Sequence, residues 1–266
     1  MINTLHFCSV NNKINMKLKF LNVAIIAISL QLLISCNNSL RKGNAKTEGK
    51  STTLSYTKKH VMTKGEQDSL TPATVLTELM AGNERFQHSN NTERDHSATI
   101  RNASNAGQFP KAIVLSCIDS RVPVEDIFDQ GIGDLFVARV AGNIANTDIL
   151  GSMEYACKVA GAKLIVVIGH EHCGAVKGAV DNVQLGNITD LLKNIKPAIL
   201  KSEQFEGAHT AKNEDYLEVV NKNNVLNTIA VIRTRSEILR DLENKGSIKI
   251  VGAYYSLLTG KLTFLN

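Results

Sequence analysis

Two short stretches of this chain carry side chains able to do chemistry. In Ser116–Arg121, SCIDSR, a thiol, a carboxylate and a guanidinium occupy alternate positions as Cys117, Asp119 and Arg121. In 169–174, GHEHCG, His170 and Cys173 stand three apart with Glu171 and His172 between them. Each stretch ends an apolar run. In extended chain, residues two apart point to one side, so Cys117, Asp119 and Arg121 can face one pocket. Two thiolates and an imidazole form a borderline-soft donor set that favours zinc over magnesium or calcium. Three protein ligands leave a fourth tetrahedral position, the pattern of a catalytic rather than a structural zinc. Two plainer readings stand beside it: a Cys117–Cys173 disulfide in an oxidising compartment, or two separately buried core thiols. A lone His-x-x-Cys is weak evidence of metal, and its conjunction with Cys-x-Asp-x-Arg is what strengthens it.

The elements that must position these residues are legible from their punctuation. The runs KAIVLS (111–116), DLFVARV (134–140) and KLIVVIG (163–169) are short, β-branched and nearly continuous in apolar residues. That pattern predicts strands of a parallel sheet buried on both faces. Between the second and third runs, Asn146 or Thr147 opens a helical pattern that Gly161 closes. Strand, helix and strand in that order predict a right-handed crossover. The fold class is therefore α/β, a mainly parallel sheet flanked by helices, and such sheets place their sites at the carboxyl ends of strands. A helix is expected from Thr71-Pro72 through Gln87, with a kink or cap at Gly82-Asn83. Further helical stretches fall around 174–200 and 223–244. The end, around Thr259-Gly260-Lys261, alternates as an exposed hairpin would. Cys157 reads as a packed thiol.

The front of the chain has a different character. Lys17 and Lys19 precede the apolar stretch LNVAIIAISLQLLIS, which ends at Cys36. This is the layout of a secretory signal, and Gln31 interrupts a run already short for a membrane span. Leu33-Ile34-Ser35-Cys36 resembles the lipobox of bacterial lipoproteins, whose Cys becomes the lipidated first residue. The expected organisation is residues 1–35 as upstream extension and cleaved signal, 36–69 as lipidated Cys and flexible tether, and 70–266 as the catalytic domain. Export to the cell envelope with a membrane anchor at Cys36 follows from that reading. The net charge of +5 splits into +3 before Cys36 and +4 over 36–69, leaving −2 from residue 70 onward. The domain lacks a basic footprint for nucleic acid, and the basic tether suits an anionic bilayer.

The residues also carry a family resemblance. CIDSRVPVEDIF and GHEHCGAV, together with LTELMAGNERFQ, ARVAGNIAN, LLKNIKPAI and VGAYYSLLTGKL, resemble the β-class carbonic anhydrases over about residues 72–262. The resemblance implies zinc held by Cys117, His170 and Cys173. It implies an Asp119–Arg121 dyad at the catalytic centre, with Asp119 as a fourth ligand in a closed state of some members. The reaction implied is reversible hydration of carbon dioxide to bicarbonate and a proton, by attack of a zinc-bound hydroxide. CS2 or COS hydrolysis on the same scaffold, or an inactive zinc-binding domain, are the alternatives. A homodimer or dimer of dimers is implied as well. Gly142 and Asn143 match the family's turn near the site. Arg139 aligns with an arginine that, in an allosteric subgroup, helps bind a second bicarbonate together with a tryptophan and a tyrosine. This chain has no tryptophan. His172 is a candidate proton shuttle, since an imidazole titrates near about 6.5.

Overall fold

A computed structural model describes residues 60–265. The expectations for the signal, for Cys36 and for most of the tether lie outside these residues.

Five strands form one sheet in the order β2-β1-β3-β4-β5: β1 Ala112–Ser116, β2 Leu135–Arg139, β3 Leu164–His170, β4 Lys249–Tyr255 and β5 Leu262–Leu265. The first four are parallel, and β5 runs antiparallel to β4. The period of two divides the side chains of β1 and β3 between two cores. Ile113, Leu115, Ile165 and Val167 pack with Met153, Ile229 and Ile232 on one face. Ala112, Val114, Leu164, Val166 and Ile168 pack with Val75, Leu79, Ile127 and Phe128 on the other. Each fully buried aliphatic side chain contributes about 1.5–3 kcal/mol, which is why a run without polar interruption was needed at β1 and β3. In register, Ala112 stands opposite both Leu135 and Leu164, so β1 and β3 deliver their carboxyl ends to the same edge of the sheet.

Several elements differ from the expectations. The tether does not extend to residue 69, because Lys64–Ser69 is a helix (α1) opened by a reciprocal Thr63–Glu66 capping box. Gln67 of that helix is fully buried, its Nε2 donating to the carbonyls of Pro110 and Ala160, both at 2.8 Å. Helix α2, Pro72–Gln87, runs through Gly82-Asn83 without a break. Gly82 is there for closeness: a Cβ would stand 1.9 Å from the Phe128 carbonyl oxygen. Asn83 beside it ties Ile127 and Gly260 to the helix. After the short helices α3 (Ala98–Ser104) and α4 (Val124–Ile127), Asn146 caps α5, Thr147–Glu154, which continues as a π-turn over Tyr155–Val159.

The stretch 174–200 is three short helices, α6 Gly174–Val180, α7 Gly186–Lys193 and α8 Lys196–Leu200. The long helix begins earlier than residue 223: α9 spans Glu214–Arg235, and Ser236 both ends it and caps α10, Glu237–Asn244. Helical periodicity missed its first part, 214–222, where acidic and polar residues are interspersed with the buried Tyr216, Leu217 and Val220 and where Asn221 is itself buried. The closing hairpin is present, but its first strand is interior rather than exposed, since β3 covers one edge of β4 and β5 the other. Strand β2 is an edge strand and only half-buried, not covered on both faces as expected.

Candidate metal centre

Cys117 follows the last residue of β1, His170 is the last residue of β3, and Cys173 stands immediately before α6. Their ligand atoms lie within 4.8 Å of one another, and all three residues are buried. The two cysteines pack among Ile144, Val176 and Ile195, a setting of low polarity that strengthens any electrostatic contact made inside it. The sulfurs are 4.0 Å apart, about twice a disulfide bond length, so Cys117 and Cys173 are separate thiols. That removes the disulfide reading.

The orientation of His170 is set by its neighbour. Nδ1 lies 2.8 Å from the carbonyl oxygen of Glu171. A carbonyl only accepts, so the proton sits on Nδ1 and the lone pair on Nε2. Nε2 is buried without a hydrogen-bond partner. A buried orphan acceptor beside two thiols is what a metal ligand looks like when its partner is a cation, and the second interaction through Nδ1 is the usual means of aiming a ligating imidazole. The Cys117 thiol is brought down, chiefly by the hydrogen bond from Cys173, helped by the Gly142 amide. The Cys173 thiol is pushed up by that same bond and by burial. The direction of these shifts favours thiolate character on Cys117 over Cys173. The donor set fits zinc, which binds thiolate and neutral imidazole in tetrahedral sites.

Asp119 is not a member of this cluster. Its carboxylate takes a bidentate grip from Arg121, Nε to Oδ1 at 2.9 Å and Nη2 to Oδ2 at 2.8 Å, and Oδ1 also accepts the Arg121 backbone amide at 2.9 Å. The guanidinium holds the Asp119 carboxyl well below the usual carboxylate range.

The structure adds residues whose part was not legible in sequence. Arg139, opposite Ser116 in the β1–β2 register, donates from Nε to the Cys117 carbonyl at 2.9 Å and from Nη2 to the Asp119 carbonyl. It braces the segment that carries both residues. Gly142, at φ +70°, donates its amide to Cys117 Sγ at 3.4 Å, and a Cβ there would stand 2.7 Å from Ile195 Cδ1. The expected close backbone approach is therefore an approach to the sulfur and to Ile195. His172, at φ +53°, is paired through Nδ1 with Glu214 at 2.8 Å, and Lys177 holds the other oxygen of Glu214 at 2.8 Å. Cys157 lies in the core with Met153 and Ile165, where burial pushes its thiol up to about 12.

A parallel α/β sheet with a Cys-His-Cys donor set at its carboxyl edge defines a metal-dependent α/β protein. Residues 112–262 match the carbonic anhydrase family, and the chain belongs to it. Carbonic anhydrase 2 of Mycobacterium tuberculosis is 35% identical over 203 residues, spanning 71% of this chain and 91% of that protein. The carbonic anhydrase of Mycolicibacterium smegmatis is 33% identical over 204 residues, 72% and 92% of the two chains. The solved structure of the β-carbonic anhydrase CcaA matches with a TM-score of 0.57 at 28% identity, covering 72% of this chain and 95% of that one. One of two tetrameric β-carbonic anhydrases from Sordaria macrospora shares the fold, with a TM-score of 0.56 at 22% identity and coverage of 73% and 95%.

Proposed function

We propose that this chain hydrates carbon dioxide reversibly to bicarbonate and a proton, with Cys117, His170 and Cys173 holding zinc and Asp119 and Arg121 serving the reaction. The observation that carries the reading is the partnerless His170 Nε2 buried within 4.8 Å of two thiols. Zinc, when bound, supplies a Lewis acid that lowers the pKa of a coordinated water from about 15.7 toward about 7, a value taken from a carbonic anhydrase with three histidine ligands. Everything else is done by side chains of this protein. An ionised carboxylate offers about four acceptor sites. Arg121 takes three of those on Asp119, two on Oδ1 and one on Oδ2, leaving one site on Oδ2. That site accepts a hydrogen bond from the attacking water and turns its lone pair toward the carbon of CO2. Arg121 keeps Asp119 ionised, so it accepts throughout and does not compete as a donor. Stopped-flow CO2 hydration together with metal analysis tests the reading. One zinc per chain with turnover is expected; zinc without CO2 turnover, or with turnover of COS or CS2 only, overturns it.

Two further parts of the proposal concern placement. The lysine-flanked apolar stretch and Leu33-Ile34-Ser35-Cys36 support an exported protein anchored by lipid at Cys36 in the cell envelope. Cys36→Ala is then expected to move the protein from the membrane to the soluble fraction. For assembly, β2 pairs with β1 alone among the described strands, so its other edge is open. Beside it a hollow of about 670 Å³ is lined by Phe136, Val137, Ile149 and Tyr155. An open edge with apolar flanks supports a homodimer, paired further or not, with this face at the contact. Sedimentation analysis of Tyr155→Glu, expected to be monomeric, checks it.

A further inference from the structure

We infer that Asn224 and Thr228 are positioning residues of the metal centre, acting through the turn Gly142-Asn143 on the sulfur of Cys117. The inference rests on the zinc reading above and extends it to residues that touch neither ligand nor substrate. Two consecutive residues, Gly142 at φ +70° and Asn143 at φ +45°, stand in the left-handed region, an arrangement that only its surroundings can hold for a non-glycine residue. What holds it is the buried polar stripe of α9. Asn224 Nδ2 donates to the Gly142 carbonyl at 2.8 Å, and Thr228 Oγ1 donates to the Asn143 carbonyl at 3.1 Å. Asn224 and Thr228 are buried, as are Gly142 and Asn143, so water does not replace either bond. A Cβ on that glycine would stand 2.7 Å from Ile195 Cδ1 and 3.3 Å from the Ala175 Cβ, so no larger residue fits the turn. Clamped at both carbonyls, the turn presents the Gly142 amide to Cys117 Sγ at 3.4 Å.

An amide hydrogen bond to a thiolate withdraws electron density from the sulfur and stabilises its deprotonated form. A metal bound to that sulfur is then less fully neutralised and acidifies water more. A Cys-His-Cys set needs this, because two thiolates donate more charge than imidazoles do. This also gives a physical reason for polar residues inside α9, where apolar ones would pack as well but leave two buried carbonyls unpaired.

The test uses the full chain loaded with Co2+ in place of zinc, in the wild type and in Thr228→Val, Thr228→Ser and Asn224→Leu. The Val and Leu variants are expected to shift the thiolate-to-cobalt charge-transfer band to lower energy, to raise the pH midpoint of CO2 hydration and to weaken metal binding about 10-fold or more. Thr228→Ser, which keeps the hydroxyl, is expected to match the wild type. Metal binding with wild-type band energy and pH midpoint in the Val and Leu variants overturns the inference, even if their stability falls. Failure of the wild type to bind Co2+ or Zn2+ overturns the zinc reading itself. If the Val and Leu variants do not fold, the cadmium-loaded wild type decides. Scalar coupling between the Gly142 amide proton and cadmium through the sulfur is expected, and its absence overturns the inference.

Discussion

Removing the Arg121 side chain isolates what the Asp119–Arg121 pair contributes. Arg121→Ala deletes the contacts at 2.9 and 2.8 Å and leaves only the backbone amide on Oδ1. Hydrogen bonds between charged groups are worth about 1.5–3 kcal/mol each when shielded. The Arg121 side chain is 52% exposed and that of Asp119 16%, so solvent screens the pair, and about 1–2 kcal/mol in total is the reasonable scale. If that energy orients Asp119 toward the attacking water, kcat/KM falls about 5–30-fold at about 1.4 kcal/mol per decade. Zinc content stays unchanged, since Arg121 touches no ligand atom. Arg121→Lys keeps the charge but loses the fork, and falls between the two.

The pair also has a pH signature. The Asp119 carboxyl is held low in the folded state, so its contribution to stability is complete above the unfolded value of about 3.9 and is lost as pH falls toward the folded value. Wild type and Arg121→Ala therefore differ by a constant amount above about pH 5 and converge below it. The assay combines stopped-flow hydration, metal analysis and NMR titration of the Asp119 carboxyl, which moves up toward about 3.9 in the variant. Full turnover in Arg121→Ala, or an Asp119 titration that does not move, refutes the reasoning.

Other outcomes follow from single contacts. Cys173→Ser and His170→Gln are each expected to lose zinc by metal analysis, with turnover lost in proportion, because each removes one of the three clustered ligand atoms. Arg139→Ala releases the carbonyls of Cys117 and Asp119 and should lower kcat/KM about 10-fold or more while weakening metal retention, measured by competition with a chelator. Gly82→Ala drives a methyl group into the Phe128 carbonyl and should destabilise the fold by about 3 kcal/mol or more in chemical denaturation, with zinc stoichiometry preserved in whatever remains folded. Gln67→Leu leaves the Pro110 and Ala160 carbonyls unpaired and should cost about 1–3 kcal/mol each, seen as a lowered Tm, without altering the pH profile of turnover.

The strand runs were readable because burial on both faces permits no polar interruption, and that made 111–116 and 163–169 stand out against their surroundings. The cluster of Cys117, His170 and Cys173 could be expected from residue type and from the rule that parallel sheets present their chemistry at strand ends. Periodicity failed where burial and polarity part company: α1, which carries a buried Gln67, was read as tether, and α9, with Asn221 buried in its first turns, was read only from residue 223. Gly82 reads locally as a helix breaker, yet it is required by a carbonyl 46 positions along the chain.

By itself, the sequence determined which side chains could bind a soft divalent metal, the order along the chain of the first three parallel strands, and a mildly acidic net charge from residue 70 onward. Only the tertiary structure decided that the two cysteines are separate thiols, that Asp119 rests on Arg121 and stays out of the metal cluster, and that Arg139 and the Gly142 amide hold the sulfur's surroundings in place. The physical reason is range. Residue type and period are properties of neighbours along the chain, whereas the grip on Cys117 comes from residues 22 and 25 positions away, brought within hydrogen-bond reach by the pairing of β1 with β2 and the turn that follows it.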